Sequence, residues 1–230
     1  MTMPFGAPLA PEAREHVASL LEAQGYRELI AADTLASAIR LAPSLDDKVL
    51  LAHQVREELE HFEAVAGLYE EIEGGDLFEV VRPRLAEVPE PGSWLEAVVV
   101  QCLVCRAGRF HLRQHPWPAY LPFADIARKI VADEEEHQTT ADGLLRDLCR
   151  DEPGNVRAAE THLETWLHPT LLSFRSPDAQ VESQAVPAAE AEDRMRDFLR
   201  DVRVLAAQCG LQMPAHVIAA PGVPSTVHER

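Results

Sequence analysis

Basic side chains are scarce in this chain: 21 lysines and arginines stand against 38 acids, a formal net charge of −17 over 230 residues. A surface of that sign repels phosphate backbones, so no nucleic-acid partner is expected unless another protein supplies the basic surface. Long apolar runs are missing as well. The most apolar stretch, around Ala97 to Val100, falls far short of the ~18 residues of a membrane span, and no membrane association is expected. Met1 to Pro11 has neither the basic start nor the apolar block of a secretory leader, which makes a cytoplasmic location the expectation. There are four cysteines, Cys102, Cys105, Cys149 and Cys209, and a disulfide framework would be unusual in such a chain. Cys102 and Cys105 form a C-x-x-C inside a helix-like run, without the further ligands of a zinc site or the context of a thioredoxin motif. They are expected as packing thiols, with a reservation for Cys105. Strand-like alternation is nearly absent, and neither a solenoid-length repeat nor a nucleotide-binding motif is visible.

What remains is helix. The periodicity predicts a first helix from Pro11 to about Ala42, interrupted at Gln24-Gly25 and ended by Pro43. Ser44 with Asp46 and Asp47 caps a second, which runs to about Glu73 before Gly74-Gly75. Arg82 to Gly92 reads as a connector, and Ser93 caps a third helix from Trp94 to His111. The prolines at 116, 118 and 122 make His115 to Phe123 a loop. A fourth helix spans Phe123 to Arg150, a fifth Asn155 to Leu167 with Pro169 at or near its end, and a sixth Ala188 to Cys209. Ser173 to Pro187 is a polar loop between the last two. The expected fold class is all-α: a ferritin-like antiparallel four-helix bundle with additional C-terminal helices, one domain over 1–218 and a flexible tail at 219–230.

Two short words recur on the second and fourth helices: Glu57-Glu58-Leu59-Glu60-His61 and Asp133-Glu134-Glu135-Glu136-His137. A helix turns once in about 3.6 residues, so a Glu and a His three apart share one face and can share a metal. Two Glu-x-x-His words plus a carboxylate from each of two other helices build the two-metal centres of ferritin-like bundles. Glu58 and Glu134 would bridge or chelate, and His61 and His137 would each bind one ion. The acids one position earlier, Glu57 and Asp133, are candidate outer partners, each for the histidine on the opposite helix. Their alternative is a solvated helix face, the reading adopted for Glu60, Glu135 and Glu136. From the first helix Glu28 is the chosen carboxylate, because the turn at Pro43 lies midway between it and Glu58; Glu22 and Asp33 are alternatives. His53 falls off the face of Glu58 and reads as a core or surface histidine. The third helix is short of a carboxylate. Glu96 sits near its start as a first-turn acid, and Gln101, Cys102 and Cys105 occupy the level opposite Glu134.

The turn Arg40-Leu41-Ala42-Pro43-Ser44-Leu45, the two acidic words, the stretch Trp166, Pro169, Leu171, Phe174, Pro177 and Asp178, and the close at Gly210-Leu211 with Pro214 carry a resemblance. Over roughly Tyr26 to Pro214 the sequence resembles the phenylacetic acid catabolic family, and within it the catalytic A-subunit type of the multicomponent phenylacetyl-CoA epoxidase. The resemblance implies that Glu28, Glu58, His61, Glu134 and His137 hold two iron ions, an iron–manganese pair or a single metal. It implies O2 activation to epoxidise or hydroxylate an organic substrate, possible ones including an aromatic acyl-CoA such as phenylacetyl-CoA. A separate reductase, a partner subunit and an oligomeric assembly follow from the same resemblance. The family has an Asp in its third helix within a Leu-Val-Asp-like word; here the word is Leu103-Val104-Cys105. Cys105 could act as a thiolate ligand, leave one metal weakly held, or leave a gap for water. Arg106, Arg109, Arg113 and Lys129 are candidate anchors for coenzyme-A phosphates, or else ordinary ion-pair formers. Trp117, Tyr120 and Phe123 would cover a substrate pocket or pack in the core. Against the oxygenase stands a non-catalytic reading, a metal-binding or structural paralogue that partners a catalytic subunit. Ferritin-type iron or peroxide handling is a third reading, which the Trp166 to Asp178 stretch does not support.

Overall fold

In a computed structural model that describes residues 11–85, 89–113, 121–174 and 188–215, every regular element among them is a helix. They are α1 (Pro11–Ile39), α2 (Leu45–Glu73), α3 (Leu77–Leu85), α4 (Trp94–Arg113), α5 (Leu121–Asp151), α6 (Gly154–Ser173) and α7 (Ala188–Cys209). α1 packs along α2 and α4 along α5, and contacts of α1 with α4 and of α2 with α5 close the four into an all-α ferritin-like bundle. α6 and α7 lie against α4 and α5, while α3 covers α1. No helix of the described residues is long and apolar enough to cross a membrane.

Local chemistry sets the starts and stops. Ser44 accepts the Asp47 backbone N–H at 3.0 Å ahead of α2, and Gly74 ends that helix at φ 72°, a conformation costly for any residue with a Cβ. Gly210 does the same after α7 at φ 71°. There the Leu211 N–H bonds the Ala206 carbonyl at 2.8 Å and the Gly210 N–H bonds that of Ala207, a Schellman closure. Ser93 Oγ accepts the Glu96 N–H at 3.1 Å, and the Glu96 side chain reaches back to the Gly92 N–H at 2.8 Å, a near relative of the capping box.

Five features differ from expectation, and packing accounts for three of them. α1 is unbroken through Gln24-Gly25, because Gly25 faces Leu77 and Phe62, where a Cβ would come within 2.7 Å of Leu77. It ends at Ile39 rather than near Ala42. Part of the expected connector is helix α3: Asp76 accepts the Phe78 N–H at 2.9 Å, Leu77 and Val81 are buried one turn apart, and Pro83 sits in the last turn. α6 does not stop near Leu167 but runs through Pro169 to Ser173, since Leu163, Leu167 and Leu171 bury as one stripe. Phe174 beyond it stacks on His111 with ring centroids 4.2 Å apart. α5 starts at Leu121, so Pro122 and Phe123 belong to its first turn and not to a loop. Residues 114–120 and 175–187 of the two expected loops, and the tail at 219–230, lie outside the described residues.

Apolar packing falls into two main bodies. One joins α1, α2, α3 and the first half of α5 around Leu21, Val65, Leu77, Phe123 and Ile130. The other joins α4, α6, α7 and the second half of α5 around Leu103, Leu145, Leu167 and Phe198. Between them, at one level of the four bundle helices, lie the buried Glu28, then Glu58 and His61, then Cys105, then Glu134 and His137.

Candidate metal centre

A hairpin whose turn lies at Pro43 and Ser44 sets Glu28 of α1 level with His61 of α2. Its Oε2 lies 3.4 Å from His61 Nδ1. Glu58, the acid of the first Glu-x-x-His word, reaches two histidines on two helices: Oε1 is 3.1 Å from His137 Nδ1 and Oε2 3.6 Å from His61 Nδ1. The outer nitrogens are held crosswise. His61 Nε2 donates to Asp133 Oδ2 of α5 at 2.8 Å, and His137 Nε2 donates to Glu57 Oε2 of α2 at 2.9 Å. Each imidazole therefore turns Nδ1 inward and Nε2 to a carboxylate, the arrangement that fixes tautomer and ring angle in histidine metal sites.

Two groups of donors result. Glu28, Glu58 and His61 form one, and Cys105, Glu134 and His137 the other, each with its ligand atoms within 4.8 Å of one another. Glu58 is fully buried and the rest are nearly so. Within this dry space Glu28 Oε2, Glu58 Oε2, His61 Nδ1 and Glu134 Oε2 have no hydrogen-bond partner in the protein. Buried polar atoms are rarely left so, because each costs roughly 1–3 kcal/mol. A set of carboxylate oxygens and imidazole nitrogens all turned to one point suits metal cations, so the residues fit such a group.

The electrostatics of the chain by itself agree. Burial, against the pull of His61 and with the push of the Glu58 charge, lifts Glu28 to about 7. Burial opposes the charge of Glu58 too, but the nearby imidazoles of His137 and His61 hold that carboxyl down at about 2. For His61, burial disfavours the cation and the neighbouring Glu28 and Glu58 outweigh it, raising the imidazole to about 11. His137 is raised in the same way by Glu58 and Glu57 after burial is overcome. Burial and then the charges of Glu58 and Glu28 drive Glu134 well above the carboxylate range, and burial and then Glu134 do the same to the Cys105 thiol. Without cations the cluster holds itself together with protons, and these are what metal ions would displace.

The other sequence candidates sort cleanly. Glu22 accepts the Tyr69 hydroxyl at 2.9 Å, and Asp33 is exposed, so neither joins the cluster. His53 is at the surface with Nδ1 3.1 Å from Glu57. Glu96 accepts the Trp166 indole N–H at 2.7 Å and stays at the start of α4, away from both donor groups. Arg106 is not an anchor for phosphates: it is buried, and it donates to Asp142 at 2.7 Å, to Asp201 at 2.8 Å and to the Cys102 carbonyl at 2.7 Å. Arg109 shares Asp201 at 2.7 Å. Lys129 is exposed, 3.8 Å from Glu60. Phe123 packs in the core at 0% exposure, and Trp117 and Tyr120 lie outside the described residues. All four cysteines are free and buried.

Sequence reasoning missed Gly108 and a set of glutamines. A Cβ on Gly108 of α4 would stand 2.6 Å from Glu134 Oε1, so the missing side chain is the space the carboxylate occupies. Gln24 donates to Glu28 Oε1, and Gln101 donates to Gln54 at 2.7 Å in a buried pair. Gln24, Gln54 and Gln101 each lie four residues before a cluster member (Glu28, Glu58 and Cys105), a one-turn spacing that was there to be seen.

The family model described as phenylacetic acid catabolic protein matches residues 6–223. No curated protein matches the chain.

Proposed function

The chain belongs to the phenylacetic acid catabolic protein family, and on that premise we propose that it is a di-iron oxygenase subunit of the A-subunit type. It would epoxidise or hydroxylate an organic substrate, with an aromatic acyl-CoA such as phenylacetyl-CoA as the first candidate, drawing electrons from a separate reductase and working beside a partner subunit. The observation that supports this most is the crosswise pair of buttressed histidines around unpartnered, buried carboxylate oxygens. Glu28, Glu58 and His61 would hold one ion, and Glu134 and His137, with Cys105 beside them, the second. A bound iron pair would supply reductive O2 activation, chemistry that protein side chains lack.

The chain's own residues have three tasks. Asp133 and Glu57 accept the Nε2 protons, leaving Nδ1 of each histidine as the inward donor. Glu58, 3.1 Å from His137 and 3.6 Å from His61, would be shared between the two groups. The apolar walls on either side exclude bulk water, which strengthens every charge interaction inside. A second reading, a metal-binding structural partner of a catalytic subunit, is favoured by one feature: Cys105 stands where the third bundle helix should give a carboxylate.

The test is anaerobic reconstitution with Fe(II), measurement of metal per chain, and single turnover with O2, reductant and acyl-CoA. About two irons with oxygenated product supports the oxygenase, and loss of product in His137→Ala at unchanged helicity assigns the centre. Metal uptake with no turnover of any acyl-CoA in the presence of the reductase and partner supports the scaffold.

A further inference from the structure

We propose that the centre is chemically asymmetric, and that Cys105, Glu134 and His137 form a thiolate half-site preferring a zinc-class cation while Glu28, Glu58 and His61 take iron or manganese. The inference rests on reading the cluster as a two-metal centre and departs from an iron pair at the Cys105 half, where the donor chemistry fits iron less well than zinc.

Three observations carry it. Sγ of Cys105, a carboxylate oxygen of Glu134 and a ring nitrogen of His137 lie within 4.8 Å of one another, all from buried residues. Glu134 Oε2, on a side chain of a residue only 5% exposed, has no partner within the protein. His137 is set for it as well, with Nδ1 turned inward 3.1 Å from Glu58 Oε1 and Nε2 held by Glu57. One sulfur, one nitrogen and one carboxylate oxygen make three protein donors, the number with which a zinc-class ion keeps a fourth position open. The other half offers oxygen and nitrogen alone. Soft thiolate selects zinc or cobalt, whereas carboxylate with imidazole also suits iron and manganese, so the difference between the halves is one of ligand softness. Cys102, the other member of the C-x-x-C, has no part in this, since it packs with Val99, Leu103 and Leu145 in the core toward α7. Binding replaces the S–H bond of Cys105 by a sulfur–metal bond, the proton passes to buffer, and no electrons are transferred.

The experiment uses the full-length metal-free chain with Co(II), an optical stand-in for zinc, and then with equimolar Fe(II) and Zn(II) under argon. A near-ultraviolet sulfur-to-cobalt band should saturate at one equivalent, vanish in Cys105→Ser and Cys105→Asp, and be erased by the first equivalent of zinc. With both ions in excess over the chain, zinc should fill the Cys105 half, and its share there should fall in Cys105→Asp. Cys105→Ser should weaken zinc binding by more than the roughly 10–100-fold that loss of an outer hydrogen-bond partner costs. Two cobalt ions bound without a sulfur band, a band that survives in Cys105→Ser, or two irons from the mixed loading would each overturn the assignment while leaving a two-metal centre in place. A chain that takes up no cobalt at all overturns the metal centre itself. Far-ultraviolet circular dichroism of each variant separates loss of the ligand from loss of the fold.

Discussion

Adding one methyl group at position 108 should separate the stability of the bundle from the quality of its metal centre. A Cβ built on Gly108 stands 2.6 Å from Glu134 Oε1 and 3.3 Å from its Cδ, whereas real Cβ contacts rarely fall below 3.0–3.4 Å. In Gly108→Ala the carboxylate must therefore retreat by about 0.4–0.8 Å. Ligands and catalytic groups tolerate displacements of only about 0.5 Å, so the donor is moved to or past its limit. The same change removes a glycine from a helix interior, a gain of about 1 kcal/mol. What must give way is the far end of a flexible side chain, not backbone, so most of that gain should survive. Urea denaturation of the metal-free variant should show stability equal to wild type or up to about 1 kcal/mol higher. Calorimetric titration should show the ion beside Glu134 bound at least about tenfold more weakly, with the ion beside Glu28 little changed. Two equivalents bound with wild-type affinity would refute the idea that the bare face of α4 is what makes room for Glu134.

Asp133→Ala strips His61 Nε2 of its acceptor and should lower affinity at the Glu28 half-site by roughly 10–100-fold in a competitive chelator titration. Arg106→Met leaves the buried Asp142 without its cation, while Asp201 keeps Arg109, and should cost about 3–5 kcal/mol by urea denaturation, with Arg106→Met/Asp142→Asn recovering part of the loss. Glu96 gives a pH test. Burial pushes its carboxyl up, but the Trp166 and Gly92 N–H groups more than reverse this and hold it below the ordinary range. A carboxyl lowered in the folded state contributes stability that is present above its unfolded pKa and lost as pH falls through the folded one. Wild type should therefore lose more stability than Glu96→Gln between neutral pH and about pH 3, read from paired urea melts.

The parts of the centre that lie within one helix were legible; those that depend on two helices meeting were less so. Glu58 with His61 and Glu134 with His137 announce themselves by spacing, and Glu28 follows from the symmetry of a hairpin about Pro43. The cross pairing of Glu57 and Asp133 with the opposite histidines was reachable because each acid sits beside a ligand candidate. Gly108 carried no such mark, since its meaning is a distance to a side chain on another helix. Arg106 misled in the opposite direction: a cation in an acidic chain looks like surface, and only the arrival of α7 shows it to be buried between two aspartates. Among the elements, α3 was hidden by Pro83, which local chemistry reads as a breaker but which falls in the last turn of a short helix. Pro169 was misread for the same reason, because burial of Leu167 and Leu171 outweighs the hydrogen bond it removes. The family stretch from Trp166 to Phe174 contributes no residue to the two candidate donor groups. Its tryptophan ties α6 to Glu96 on α4, and its phenylalanine closes over His111.

The clasp of Arg106 on Asp201 also has a meaning in time. A ribosome delivers both Glu-x-x-His words before it has made residue 201, so a nascent chain can pair its bundle helices while a buried guanidinium still lacks one of its two carboxylates. Until α7 emerges, that charge must stay wet, and α4 cannot settle fully against α5. The last of the described helices thus completes the far side of α4, and a chain cut short before it would retain every candidate metal donor yet leave Arg106 without Asp201.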